Sequence, residues 1–498
     1  MSPIPIIDLF AGPGGLNEGF SRLGEPENSP VFETVGSFEM ESSAIKTLTL
    51  RGVYRHLLRT TGVPKSYYRY ITGDIDLAEF KRAPGIAEAF NAAAAHVHQV
   101  ELGSDKDPSH ALIGEALKAA GVSGTDKPWV LIGGPPCQAY SLAGRSRRAN
   151  DETFASDKKH FLYREYLNII KEFAPPVFVM ENVKGLLSST NEGRGMFKLI
   201  KDDLESPGGP EGGLHYEIHS VVEDKTPNDL LPRDFIIKSE EYGVPQKRHR
   251  VILLGIRKDL LTEGFKVGKL KRAPEPVTVG DALEGIPALR STISPSRLDS
   301  ERDWARIRSE IVRKYEGTTA SDAPANRGSR SEPRSGKPAG AFGEWIVDET
   351  FDRVIQHEAR GHMIEDLKRY WFAATEGDRT GVSPKLSGFP RELQPNHKNA
   401  SAENKPFEDR FRVQVKNKPS TTIVSHISKD GHYYIHPDPD QMRSLTVREA
   451  ARLQTFPDNY FFEGNRTQQY HQVGNAVPPL LANQIAKLVE ELLRKSAA

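Results

Sequence analysis

The chain has 498 residues, room for two or three domains at about 150 residues each. Its 67 Lys and Arg balance 67 Asp and Glu, which excludes a uniformly cationic, histone-like polyanion binder and leaves only a local basic cleft open. A single cysteine, Cys137, excludes an intrachain disulfide, and no Cys/His spacing reads as a zinc site, so a reducing compartment and no metal are expected.

The opening "MSPIPIIDLF" has no basic n-region, and no apolar run nears the roughly 20 residues that span a bilayer, so a soluble, cytoplasmic chain without membrane contact is expected. "PIIDLF" reads as a strand ending before Gly12, followed by a helical pattern from Leu16 to Leu23. "VGSFE" (35–39), "WVLIGG" (129–134), "PVFVMEN" (176–182) and "RVILLGI" (250–256) are further β-like runs. In "HFLYREYLNIIKEF" (160–173), Phe161, Tyr166, Leu167, Ile170 and Phe173 recur at helical spacing, and Pro175 and Pro176 end the helix. Apolar strands with helical crossovers predict an α/β, doubly wound, parallel sheet covered on both faces.

The stretch from 291 to 440 lacks this rhythm and is expected to form a separate, irregular or β-containing module. Within it, 317–343 is rich in Gly, Ser, Pro and Ala, with Arg327, Arg330, Arg334 and Lys337 against Glu332, and reads as a solvated linker, with phosphate contact as the alternative. Beyond it, "SLTVREAARLQTFPD" (444–458) starts at a Ser or Thr cap and repeats Val447, Ala450, Ala451 and Leu453 as a helix would. "NAVPPLLANQIAKLVEELLRK" (475–495) is an amphipathic helix led in by two prolines.

Chemistry-bearing residues cluster at strand ends, where open α/β sheets bind ligands. In "DLFAGPGGLNEGF" (8–20), Gly12, Gly14 and Gly15 permit a tight turn and close backbone approach, but the pattern is neither a clean dinucleotide fingerprint nor a Walker loop. Glu39 suits a ribose diol and Asp74 in "TGDID" an adenine amino group. Either acid alone reads as a solvated strand end; with the glycine loop they suggest an adenosine-containing cofactor. Cys137 follows two stiffening prolines in "GGPPCQAYS", with Arg145, Arg147 and Arg148 close enough in sequence to favour a thiolate; a small buried hydrophobe is the plain alternative. Glu181 in "VMENV" is either a general acid or a helix-capping acid. In "PQKRHRVILLG", period-2 spacing puts Arg248 and Arg250 on one face, as surface arginines or as a grip on an anion or base carbonyl.

In order, "DLFAGPGG", "GGPPCQ", "ENV", "QKRHR", "RSLTVREAARLQTFPD" and "GNAVPP" resemble the blocks of the cytosine-5 DNA methyltransferase family, of bacterial or phage type, over 1–290 and 441–498. The resemblance implies a Rossmann-like catalytic domain in two parts, 1–290 and 441–498, around an inserted target-recognition domain, 291–440. It implies S-adenosylmethionine as methyl donor, held by Phe10, Ala11, Gly12, Gly14, Gly15, Leu16, Glu39, Met40, Asp74, Ile75, Pro136, Asn475, Ala476 and Val477, with the final helix beside the first strand unit. Cys137 is implied to add to C6 of a flipped-out cytosine, Glu181 to act at N3, and Arg250, helped by Arg248, to hold the O2 edge. Gln138, Ser141 and Arg145 are implied DNA contacts, in a loop to about Lys159 that could close over the base. Double-stranded DNA is the expected partner, a cognate restriction endonuclease or other defence proteins are further ones, and a monomer is expected. Arg412, Lys416, Thr421 and Thr422 are either DNA contacts or ordinary strand residues. RNA as substrate, a catalytically silent DNA-binding module and a nicotinamide-dependent oxidoreductase are the competing readings. The long insert speaks against the first, the intact Cys137, Glu181, Arg248 and Arg250 against the second, and an unexplained Cys137 and Glu181 against the third.

Overall fold

The structure, a computed structural model, describes residues 2–25, 30–104, 106–122, 127–136, 162–188, 190–191, 194–262, 265–296, 299–316, 324–395 and 408–496. Its centre is a sheet of β1 (Ile4–Leu9), β2 (Phe32–Glu39), β3 (Val97–Gln99), β4 (Val130–Gly133), β5 (Val177–Val183), β6 (Tyr216–His219), β7 (Ile236–Lys238) and β8 (His249–Arg257). The order is β3-β2-β1-β4-β5-β8-β6, with β7 pairing β8 further along the same edge. The chain winds outward from β1 to β3 and then in the other direction through β4 and β5, so the order reverses between β1 and β4, the crevice where such sheets bind ligands.

Strands β1 to β5 are parallel, but β8 runs antiparallel to β5, as β6 and β7 do to β8. That corrects the all-parallel expectation at "RVILLGI". Burial on both faces makes a strand uniformly apolar whichever way it runs, so composition does not carry direction.

Alternation along the strands splits the core in two. Ile7, Leu9, Leu131, Phe178, Met180, Val251 and Leu253 join one cluster with helices α6 (Ser109–Ala119), α7 (Leu162–Phe173) and α8 (Met196–Glu205). Ile6, Val130, Ile132, Val179, Ile252 and Leu254 join the other with α1 (Gly15–Ser21) and the helix Pro479–Ser496. The last two helices meet closely: a Cβ on Gly19 would lie 2.4 Å from that of Ala482, and Asn483 Nδ2 donates to the Gly19 carbonyl at 2.8 Å. The expected pairing of the final helix with the first strand unit is therefore present.

Outside the sheet, the helices α2 (Ser42–Thr60), α3 (Lys65–Thr72), α4 (Leu77–Arg82) and α5 (Ile86–Ala94) form a third cluster that also takes in Phe351, Ile355 and Phe461. The stretch 291–440 holds short β pairs, as expected, and also the helices Glu301–Glu316 and Ile364–Thr380. Trp304, Ile307 and Ile311 of the former pack on Leu367 and Trp371 of the latter, a helical period that the sequence carries plainly. The linker reading also fails where the segment is described: Gly328–Pro333 pairs antiparallel with Arg353–Glu358, and Gly340–Ile346 is a helix. Among the described residues no helix is long and apolar enough to cross a membrane.

Candidate active site

Register brings four strand ends to one rim. Leu9 is level with Phe38 and with Gly133, and Gly133 with Met180, so the turns after β1, β2, β4 and β5 open together. The turn after β1 is wound tightly, with Phe10 at φ 54°, Gly12 at φ 55° and Gly14 at φ 87°. A phenylalanine in the left-handed region costs about 1–2 kcal/mol, which the surrounding structure must offset. A Cβ on Gly12 would meet nothing within 4 Å, so space lies open above the loop, whereas one on Gly15 would lie 2.2 Å from the Val477 carbonyl oxygen. The C-terminal block thus closes against the glycine loop. Ala476, Val477 and Leu16 are buried there, and Asn475 is exposed at the end of the helix Arg466–Asn475, with Nδ2 3.2 Å from His471 Nδ1.

Glu39 lies across this turn. Its Oε2 accepts from Gly12 N at 2.8 Å, and Oε1 accepts from Met40 N and Glu41 N, both at 2.9 Å. With about four acceptor positions on a carboxylate, Oε2 keeps capacity for a hydroxyl donor. Met40 is exposed and Phe10 and Ala11 are half-buried on the same rim. Asp74 is exposed just past α3; Thr72 Oγ1 donates to its Oδ2 at 2.9 Å. Ile75, expected beside it at the adenine, is 5 % exposed with its side chain in the α2–α5 cluster and its backbone N–H donating to the Arg69 carbonyl at 3.3 Å. The open space over Gly12 and the free capacity at Glu39 fit an adenosine-bearing methyl donor.

On the neighbouring side of the rim, Glu181 Oε1 and Arg250 Nε form an ion pair at 2.8 Å. They reach it from adjacent antiparallel strands, where Arg250 is opposite Val183 and Ile252 opposite Glu181. Burial pulls the Arg250 guanidinium below its usual range, and Glu181 opposes that shift. Glu181 Oε2 would lie 3.1 Å from a Cβ on Gly134, so the pair stands over the Gly134–Pro136 turn, in which Pro136 is half-buried. Asn182 Nδ2 donates to the Pro135 carbonyl at 3.3 Å and ties that turn to β5. Cys137, Gln138, Ser141 and Arg145, with the rest of 137–161, lie outside the described residues.

Arg248 lies near enough for the charges of Arg250 and Glu181 to act on it, but its donors turn away from them. It is 2 % exposed, and its Nη1 donates to the carbonyls of Ile423 at 2.8 Å and Gly474 at 3.3 Å. The separation arises because Gln246–Lys247 pairs with Ser420–Thr421 before β8 begins, which breaks the simple period of two. Gln246 donates to the Leu453 carbonyl at 3.1 Å and accepts from Ile423 N at 2.8 Å, and Gln454 donates to the carbonyls of Val473 and Ala476. One buried polar hub therefore joins the "QKRHR", "LQTFPD" and "GNAV" blocks.

Sequence reasoning passed over two charged features beneath the glycine loop. Glu18 is bonded by Arg51 and Arg55, at 2.6 Å each, and although burial pushes its carboxyl up, these guanidinium groups hold it well below the usual range. Arg51, Arg55 and Arg59 recur at i, i+4 and i+8 on α2, a signal visible in the sequence; with Glu18 and Gly14 they line a cavity of about 230 Å³. Asp8 is 1 % exposed, neither carboxyl oxygen has a hydrogen-bond partner, and burial pushes its pKa up to about 8. Of the residues read as strand or contact, Arg412 pairs with Asp409 at 2.7 Å, Thr421 Oγ1 donates to Gln414 Oε1, and Thr422 Oγ1 donates to the Lys247 carbonyl. Among the described residues no group of three or more His, Cys, Asp or Glu is arranged to hold a metal ion.

The family model for C-5 cytosine-specific DNA methylase matches residues 122–491. A type II methyltransferase of Bacillus paralicheniformis, M.Bpa9945I, is 33% identical over 98% of this chain and 99% of its own. A DNA (cytosine-5-)-methyltransferase of Aeropyrum pernix, M.ApeKI, is 28% identical over 99% of both. In fold, the chain resembles a solved structure from an E. coli prophage, with 20% identity, 99% coverage of both chains and a TM-score of 0.52. The chain belongs to the C-5 cytosine-specific DNA methylase family. It is a methyltransferase that acts at C5 of cytosine in DNA.

Proposed function

We propose that the enzyme methylates a flipped-out cytosine in a specific duplex DNA sequence through a covalent bond from Cys137 to C6. The observation that carries this reading is the Glu181–Arg250 pair standing over the Gly134–Pro136 turn, one residue before Cys137. C5 of an intact cytosine ring is a poor nucleophile. Addition of the thiolate at C6 breaks the aromaticity, and its electron pair passes through C5. Glu181 hydrogen-bonds and donates toward N3 as the ring takes the sulfur, and Arg250 holds the O2 edge. C5 then takes a methyl group, which S-adenosylmethionine, when bound, would supply from its sulfonium, the S–CH3 bond breaking to leave S-adenosylhomocysteine as a neutral thioether. A base then takes the C5 proton, the C6–S bond breaks, and the thiolate returns. A target atom inside a stacked duplex is out of reach, which is why the base must be extruded.

For the cofactor, Glu39 takes a ribose hydroxyl and Asp74 the adenine amino group. Phe10, Ala11, Gly12, Gly14, Gly15, Leu16, Met40, the Ile75 backbone, Pro136, Asn475, Ala476 and Val477 form the walls. Arg248 acts by positioning the hub beneath Arg250 rather than by touching the base. Residues 291–440 form the recognition module, and Gln138, Ser141 and Arg145 meet the DNA. The type II name of the Bacillus relative supports an enzyme of restriction–modification type; a cytoplasmic monomer with a cognate endonuclease as partner completes this reading.

Incubation with a labelled methyl donor and either duplex DNA or RNA tests this directly. Label is expected in DNA from the wild type and absent with Cys137→Ala; undiminished transfer by that variant would remove the nucleophile assignment.

A further inference from the structure

We infer that the arginine-lined cavity beside the glycine loop binds a phosphate-class oxyanion, and that this anion strengthens binding of the methyl donor. The cavity, of about 230 Å³, is walled by residues of α1, α2 and β2. It reaches the loop itself: Gly14 and Asn17 line it, as does Tyr460, whose hydroxyl donates to the Pro13 carbonyl. The effect on the donor rests on the assignment of the glycine loop to the cofactor; the anion site does not.

Charge around the cavity is out of balance. Among the described residues, Arg22, Arg51, Arg55 and Arg59 gather about two largely buried carboxylates, Glu18 and Glu25. Glu18 is taken up by Arg51 and Arg55, at 2.6 Å each, and Arg55 also donates to Glu25 at 2.9 Å. Arg59 is left with weak contacts. It reaches Glu25 at 3.4 Å, the Ser21 and Phe32 carbonyls at 3.5 Å, and Glu33, whose side chain is 53 % exposed, at 3.7 Å. Burial, and then Arg55, hold the Arg59 guanidinium below its usual range, although Glu25 and Glu33 oppose the shift. Arg55 and Arg59 each keep a buried Nε with no hydrogen-bond partner, one turn apart on α2. From β2, Ser37 Oγ accepts from Asn17 Nδ2 at 3.2 Å and keeps its own proton to donate. Donors on two walls and an excess of positive charge suit a tetrahedral oxyanion, whose several oxygens meet guanidinium edges in pairs. A planar carboxylate covers one such edge. An oxyanion there packs toward Gly14 and Asn17 and holds the loop in its wound form, which lowers the ordering cost of binding the cofactor.

Calorimetric titration of the full chain without DNA tests the site, with sodium phosphate, ribose 5-phosphate and sodium acetate compared at equal ionic strength. Phosphate should bind and acetate should not. Binding of ribose 5-phosphate as well would identify a phosphate ester as the natural source, and binding of inorganic phosphate alone would identify the free ion. Arg59→Gln, which gives up only long contacts, should bind phosphate about tenfold more weakly, as expected for loss of a charge-assisted hydrogen bond. Glu33→Gln, which removes an exposed acid from the cavity wall, should bind phosphate about threefold more tightly, and it serves alone if the Arg59 variant does not fold. Titration with S-adenosylhomocysteine should show about fivefold higher affinity in phosphate than in chloride for the wild type, and no such gain for Arg59→Gln. No phosphate binding, or equal binding by the wild type and both variants, would overturn the inference. Phosphate binding that leaves S-adenosylhomocysteine affinity unchanged would overturn the link to the methyl donor. A chain that fails to bind S-adenosylhomocysteine in either salt would instead remove the glycine-loop assignment, with the phosphate titrations still deciding the anion site.

Discussion

At the end of β1, Asp8 keeps a carboxyl group with no hydrogen-bond partner, and burial pushes its pKa up to about 8. The folded value lies above the unfolded one of about 3.9, so the favourable contribution is complete below pH 4 and is lost as pH rises through 8, at up to about 1.4 kcal/mol per pH unit. Asp8→Asn removes that dependence. The variant should melt above the wild type at pH 8, and the difference should shrink toward pH 4.5 in thermal scans. Glu181 calls for a different measurement. Replacing it with Gln keeps the shape but removes the acid and leaves Arg250 without its counter-ion. Steady-state methylation should fall by about 10²–10⁴, the usual size of a general acid–base contribution, with folding retained. The sequence revealed Glu181 and Arg250 because their neighbours form recognisable blocks. It hid the fate of Arg248, since a strand that interrupts the period of two depends on a partner more than 170 residues away.

In the helix Val447–Leu453 charged side chains are buried beside apolar ones. Thr446 and Glu449 form its capping box, and Glu449 pairs with Arg443 at 2.6 Å. Arg448 donates to three backbone carbonyls, and Arg452 pairs with Asp458 at 2.8 Å while also capping Ala282 and Glu284. Both partners of the Arg452–Asp458 pair are fully buried. Arg452→Ala should therefore cost about 3–5 kcal/mol in a denaturant titration, because it strands a buried carboxylate. Arg452→Ala with Asp458→Ala should cost less than the single change. Apolar periodicity disclosed this helix and its Thr cap. It could not disclose the arginine lattice, because on a helical wheel Arg448, Glu449 and Arg452 look like a solvated face. The strands were legible for the opposite reason: β1, β4 and β5 are buried on both sides and read as apolar runs up to the polar residues near their ends.

Across the described residues, several polar groups that join distant segments are buried. His357 is 0 % exposed; its ring nitrogens meet Thr446 Oγ1 at 3.0 Å and the Pro287 carbonyl at 2.8 Å, so it links residues before, within and after 291–440. Burial lowers its pKa to about 4, against about 6.5 when unfolded. Its contribution is complete above pH 6.5 and is lost as pH falls toward 4, about 1 kcal/mol of it by pH 5.5. Thermal scans at pH 7.5 and 5.5 should show a smaller drop for His357→Gln than for the wild type. None of these links was legible in the sequence, for each depends on contacts between segments rather than on local pattern; what the sequence did disclose was the order of the blocks that the links hold together.

The most direct test of the account offers the enzyme S-adenosylmethionine and a duplex pool with 5-fluorocytosine at random positions, followed by peptide mass spectrometry. Fluorine at C5 cannot leave as the proton does, so the C6–S bond should persist, and the pyrimidine adduct should be found on the peptide that contains Cys137. Methylation of ordinary DNA under the same conditions, with no adduct at Cys137 from the fluorinated pool, would contradict it.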